Sequence, residues 1–202
     1  SRGLGDVYKR QALNLEVVSE GTFTTDSQND FSVQLSDAKN AGADLVFLPI
    51  YYTEASLILS QADKMGYAPQ FFGCDGLDGI LNVENFDTSL AENVMLLTPF
   101  AADATDDLTV NFVKNYKDKF NGETPNQFAA DTYDAIYAIK AAAEKAGITA
   151  DMSASDICDA MKSAMTEITV NGLTGNITWS ADGEPTKEPK AVKIVNGSYT
   201  AM

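Results

Sequence analysis

Short apolar runs alternating with amphipathic segments predict an α/β fold built on an open parallel sheet. Three observations carry the prediction. Leu45 to Pro49 (LVFLP), Gln70 to Gly73 (QFFG) and Val94 to Thr98 (VMLLT) are apolar stretches of strand length. The segment after the first has helical periodicity, and the links between elements are a few residues long. No internal repeat or low-complexity stretch points to a solenoid or an unstructured chain.

Taken in order, Leu13 to Val18 alternates apolar and polar residues, which predicts a half-buried strand. A polar turn from Thr24 to Asp30 leads into Phe31, Val33, Leu35 and Ala38, a helix that Gly42 is placed to end. Leu45 to Pro49 has the unbroken apolar character of a strand covered on both faces. Ala55, Ile58, Leu59, Ala62 and Met65 then share one face of a helix over Glu54 to Met65, stopped at Gly66. A loop and a weak helix around Ser89 precede the third strand. After Pro99 helices take over. Leu108, Phe112, Tyr116 and Phe120 recur every four residues, and Phe128 to Lys145 is a longer amphipathic stretch. Ser153 with Asp156 predicts a capping box for a helix through Met165. Gly175 to Trp179 and Ala191 to Val195 are strand-like, separated by the turn residues Asp182 to Pro185.

Composition removes several function classes. The 202 residues are 45% hydrophobic, ample for a packed core, and their net charge of -15 opposes phosphate backbones and anionic lipid headgroups, so no nucleic-acid partner is expected. The absence of histidine excludes a Ser-His-Asp triad, a Cys-His pair and any His-ligated metal. Cys74 and Cys158 lie outside any CxxC spacing and are expected to be buried or half-buried thiols. No GxGxxG or GxxxxGK[ST] motif is present for a nucleotide. No catalytic residues, cofactor or metal site are therefore expected. No apolar run reaches the roughly 20 residues needed to span a bilayer, so direct membrane insertion is not expected of these residues.

In open parallel sheets ligands bind where strand C-terminal ends open into a crevice. Ile50-Tyr51-Tyr52 follows one apolar strand and Cys74-Asp75-Gly76 the next, one crossover unit later, so both loops are expected at the same sheet edge. A carboxylate there suits an ammonium group, and an aromatic ring beside it covers apolar atoms, which together fit an amino acid. Asp75 before Gly76 equally fits an ordinary turn aspartate, and Tyr51 a ring packed under a loop.

Four stretches, FTTDSQNDFSVQLSDAKNAGADLVFL from Phe23, FFGCDG from Phe71, NQFAADTYDA from Asn126 and GLTGNITWSADG from Gly172, resemble in order the type I periplasmic binding proteins of the leucine/isoleucine/valine-binding branch. The resemblance implies two Rossmann-like lobes that close on ligand by a hinge motion. It implies that 13–99 is most of the second lobe, 100–189 the later part of an incomplete first lobe, and 190–202 a crossing strand. Ser1 to Gln11 (SRGLGDVYKRQ) resembles a translated sequencing-adapter string, and is expected to be a non-native leader. This chain would then be a C-terminal part, with any export signal encoded upstream.

Carried over by position, the resemblance assigns the aromatic ligand contact to Tyr51, with Tyr52 beside it, and the acceptor of the ligand's α-ammonium to Asp75, next to Gly76. An aromatic contact from the first lobe falls on Phe128, for which a core role is an equal reading. The implied function is an extracytoplasmic solute-binding protein, periplasmic or a surface lipoprotein, that captures a small, branched-chain amino acid and docks on the permease of an ABC transporter. The same architecture serves amide and urea binders and the sensing domains of receptors and regulators, and fold alone does not separate them. An α/β enzyme is the reading from a different class, and its expected motifs are absent.

Overall fold

The computed structural model describes residues 12–202; the expected leader, Ser1 to Gln11, lies outside the described residues. A five-stranded sheet runs in the order β1-β2-β3-β6-β7. Its parallel part is β1 (Leu45–Leu48), β2 (Gln70–Gly73) and β3 (Met95–Thr98). β6 (Lys190–Val195) pairs antiparallel with β3, and β7 (Ser198–Ala201) returns along β6. The α/β class is as the sequence predicts, with an antiparallel hairpin closing one side of the parallel strands.

Helices α1 (Ser32–Asn40) and α2 (Tyr52–Lys64) link and cover these strands. Leu35 of α1 and Ala55, Ile58, Leu59 and Ala62 of α2 bury against Leu48, Phe71, Leu96, Val192 and Ile194 in the main core. Burial of each large aliphatic side chain there stabilises the fold by roughly 1.5–3 kcal/mol. At the start of α1 the N-cap residue is Phe31, which has no side-chain acceptor, and Asp30 Oδ1 accepts Ser32 N–H at 3.0 Å. Gln61 of α2 adds a long-range partner, its Oε1 accepting Phe31 N–H at 2.7 Å while its Nε2 donates to Asn29 O at 3.0 Å. Gly42 and Gly66 take positive φ where the two helices stop, as helix C-terminal glycines do.

Beyond Pro99 come α3 (Asp107–Lys119), α4 (Gln127–Ala146) and α5 (Ala154–Met165), with a hairpin of β4 (Val170–Gly172) and β5 (Gly175–Ile177). Each helix begins on a side-chain cap: Asp106 for α3, Asn126 for α4 and Ser153 for α5. Ser153 Oγ accepts Asp156 N–H at 3.2 Å and donates to the Asp156 carboxylate at 2.7 Å, so the serine half of the expected box forms while the acid accepts from the hydroxyl rather than from the Ser153 backbone N–H. Asp134 on α4 holds the β4–β5 turn, accepting Leu173 N–H, Thr174 N–H and Thr174 Oγ1–H at 2.7–2.9 Å. Gly172 is required beside it, since an added Cβ would lie 2.5 Å from that carboxylate.

Three expectations are corrected. Leu13 to Val18 is not a strand; it has no regular structure, and Leu13, Leu15, Val17 and Val18 are exposed. Alternation marks a chain that suits a sheet, but a strand exists only with a hydrogen-bonded neighbour, and among the described residues this segment has none. β1 is not covered on both faces. It is the edge strand, burying Leu48 and leaving Leu45 and Phe47 exposed, with Phe47 stacked on Phe72 at 5.8 Å. Cys158 is exposed on α5, whereas Cys74 is half-buried as expected.

Candidate ligand-binding site

Because β1 and β2 are parallel and in register from Leu45↔Gln70 to Leu48↔Gly73, their chain ends leave the sheet at one edge. Tyr51 stands at the N-cap of α2 and is 60% exposed. Asp75 opens a short 3-10 turn, Asp75–Leu77, directly after β2, and is also exposed. The two tips are packed backbone to backbone at Gly76. A Cβ there would fall 2.3 Å from Ile50 O, so only glycine lets the Asp75 turn approach the Tyr51 loop this closely.

The start of α4 meets these tips from the helical region. The half-buried Phe128 ring lies 6.3 Å from Tyr51 and 6.5 Å from Tyr52, both tilted, so the three rings form one aromatic group. Gln127 is buried, and its Nε2 donates to the backbone carbonyl of Asp75. All five residues singled out from the sequence, Tyr51, Tyr52, Asp75, Gly76 and Phe128, therefore meet where two strand tips face a helix N-terminus.

Beneath the tips lies a buried carboxylate that sequence reading passed over. Asp78 is 4% exposed, and its Oδ2 accepts Gln127 N–H at 2.8 Å and Thr98 Oγ1 at 3.2 Å. The Thr98 hydroxyl proton is shared with Phe100 O at 3.1 Å. Tyr199 also hydrogen-bonds Asp78, while its hydroxyl accepts Gly79 N–H at 3.1 Å. Desolvation outweighs these bonds and pushes the Asp78 carboxyl up to about 6. Burial, followed by the negative charge of Asp78, likewise raises the Tyr199 phenol above its ordinary value. In the sequence Asp78 stands in Gly76-Leu77-Asp78-Gly79, a string that reads as an exposed turn. Its one distinguishing signal was the apolar pair Leu77 and Ile80 around it, both fully buried.

The described residues contain no group of three or more acidic or cysteine side chains able to hold a metal, and no helix long and apolar enough to cross a membrane. The arrangement suits capture: a carboxylate and aromatic faces at a rim, on rigid supports.

The family model for periplasmic binding proteins matches residues 3–198. The chain belongs to this family. Among periplasmic binding proteins similar to it is the Leu/Ile/Val-binding protein homolog 1 of Brucella abortus, 27% identical over 190 residues, which cover 91% of this chain and 47% of that one. The crystal structure of a leucine binding protein from Thermotoga maritima superposes with a TM-score of 0.78 at 25% identity, covering 100% of this chain and 56% of that one. A branched-chain amino acid transporter substrate binding protein from Streptococcus pneumoniae, solved in complex with isoleucine, gives a TM-score of 0.80 at 26% identity over 99% of this chain and 55% of that one. This periplasmic binding protein chain spans about half the length of the relatives it matches.

Proposed function

We propose that the chain is part of an extracytoplasmic solute-binding protein that captures a small, branched-chain amino acid and delivers it to the permease of an ABC transporter, without chemistry on the ligand. One observation carries this reading: in a chain of the periplasmic binding protein family, an exposed aromatic ring and an exposed carboxylate emerge at one sheet edge, opposite the aromatic start of α4. In this reading Asp75 receives the ligand's α-ammonium through charge-assisted hydrogen bonds, and Tyr51, Tyr52 and Phe128 cover its apolar side chain. Gly76 keeps the two tips close. A negative charge at the rim favours a cationic group over a neutral amide or urea, which sets the amino acid ahead of those ligands.

The lobe division belongs to the same proposal, with 13–99 in one lobe, 100–189 in the other and 190–202 crossing back to the first. So does location outside the cytoplasm, free in the periplasm or as a surface lipoprotein. The named relatives support the ligand class, one being a leucine binding protein and one holding isoleucine.

The test is calorimetric titration of L-leucine, L-isoleucine and L-valine into the full-length protein and its Asp75→Ala variant. Leaving an ammonium unpaired in a closed cleft is expected to cost on the order of 2 kcal/mol or more of binding free energy. Unchanged affinity in the variant removes Asp75 from the site, and no heat with any amino acid removes the reading itself.

A further inference from the structure

The aromatic and acidic rim is built from pieces that do not adjoin in sequence, and something must hold them in register. Asp75 and Tyr51 ride on the β2 and β1 tips, while Phe128 rides on α4. The two tips pack on each other at Gly76, and the ring contacts of Phe128 and the Gln127 amide on the Asp75 carbonyl join them to α4. Under them Asp78 collects donors from three other elements, namely Gln127 N–H from the first turn of α4, Thr98 from the end of β3, and Tyr199 from β7. Gly79, which follows Asp78, is closed in by Asn126 and Tyr52, with a virtual Cβ 3.1 Å from Asn126 Nδ2 and 3.2 Å from the Tyr52 ring. The backbone there takes φ +108°, open to glycine and strained for other residues. The Asp78 turn is thus wedged between the cap of α4 and the aromatic rim.

We infer that Asp78 is a positioning residue of the ligand site: by accepting the Gln127 N–H it sets where α4 begins, and so holds Phe128 at the distance from Tyr51 and Asp75 that a ligand requires. The inference rests on the receptor reading above. Asp78 itself touches no ligand, because it is buried beneath the rim. Without its carboxylate the first turn of α4 loses the acceptor of the Gln127 N–H. The Asn126 side chain already serves Ala129 N–H at 3.2 Å and does not replace that acceptor. The helix start is then free to shift, and the cleft geometry shifts with it. A role in stability alone would lower the melting temperature and leave the affinity of the folded protein as it was.

The experiment compares full-length wild type, Asp78→Ala and Asp78→Asn, with L-leucine as the probe, at a temperature where circular dichroism shows each variant folded. Asp78→Ala is expected to bind about tenfold more weakly or worse, the loss that follows from removing a hydrogen bond to a charged group. Asp78→Asn, whose amide oxygen still accepts from Gln127 N–H, is expected to stay within about threefold of wild type. Unchanged affinity in folded Asp78→Ala overturns the inference, as does an Asn variant as weak as the Ala variant. Should Asp78→Ala not fold, Gln127→Pro, at a first helical position that tolerates proline, deletes the same N–H together with the side-chain amide on the Asp75 carbonyl; Gln127→Ala keeps the N–H and controls for that amide, and leucine binding by Gln127→Pro no weaker than by Gln127→Ala overturns the inference equally. Hydrogen exchange across Gln127 to Asp131 gives an arm independent of the ligand. Faster exchange in Asp78→Ala than in wild type and Asp78→Asn supports the role, and equal exchange in Asp78→Ala and wild type sinks it. If wild type binds no amino acid, the receptor reading fails while the exchange arm still decides the place of Asp78.

Discussion

Asp78 and Asp134 are both buried carboxylates, 4% and 2% exposed, each meeting a backbone N–H from a distant segment. Asp134 spends both oxygens on two consecutive residues of one turn, Leu173 and Thr174, in an enclosure so tight that Gly172 has no room for a Cβ. Asp78 spreads its bonds over the start of α4, the end of β3 and a tyrosine on β7. The first closes a local motif, and the second joins separate elements under an open rim. A buried charge is costly unless fully bonded, so each carboxylate marks a place where geometry is specified rather than merely filled.

The largest effect is expected at Asp134. Asp134→Ala leaves three buried donors without an acceptor and should cost about 4 kcal/mol in urea unfolding, with leucine affinity of the folded fraction unaltered. A parallel loss of affinity would erase the contrast with Asp78. Next comes pH. The Asp78 carboxyl is raised from 3.8 to about 6, so its ionisation opposes the folded state. Stability is therefore gained as pH falls through about 6 and is fully recovered below the unfolded value, a change of up to about 3 kcal/mol. Tyr199 is the other titratable group hydrogen-bonded to it, and Gln127, Thr98 and Gly79 are neutral. Between pH 7 and pH 4.5 the melting temperature of wild type should rise relative to that of Asp78→Asn, and parallel curves would show that Asp78 is not the titrating group.

A smaller effect is expected where the two tips touch. Gly76→Ala drives a methyl group against the Ile50 carbonyl, which as backbone cannot swing aside, and should cost about 2 kcal/mol of stability together with weaker leucine binding. Wild-type behaviour would mean that the tips separate freely. The smallest belongs to Asp131, one turn before Asp134 on α4. Its ion pair with Lys187 spans 2.5 Å but is 28% and 38% exposed, so Lys187→Ala should cost less than about 1 kcal/mol in the same unfolding assay. A larger loss would place this pair with the buried carboxylates.

Much of this site was legible in the chain. Parallel strands separated by one crossover must send their ends to the same edge, so Tyr51 and Asp75 were placed together by spacing alone, and the family resemblance added Phe128. The capping residue Ser153 and the stops at Gly42 and Gly66 were equally readable, because their signals lie within a few residues of their effects. Leu13 to Val18 went the other way. It has the alternation of a strand and, among the described residues, no neighbour to pair with, and pairing is not a property of the segment. Asp78 was missed for a related reason, since its partners lie 20 to 121 residues away and a turn aspartate looks the same whether wet or buried.

By itself the sequence determined the periodicities, and through them which residues are helical, which are extended, and which loops follow strand ends. Those are short-range consequences of backbone sterics and of apolar faces leaving water. Only the tertiary structure decided that β1 is an edge, that the α4 start closes on the β1 and β2 tips, and that a carboxylate is buried beneath them. Burial and hydrogen-bond partnership depend on what other parts of the chain bring to the same place, and no local pattern encodes that.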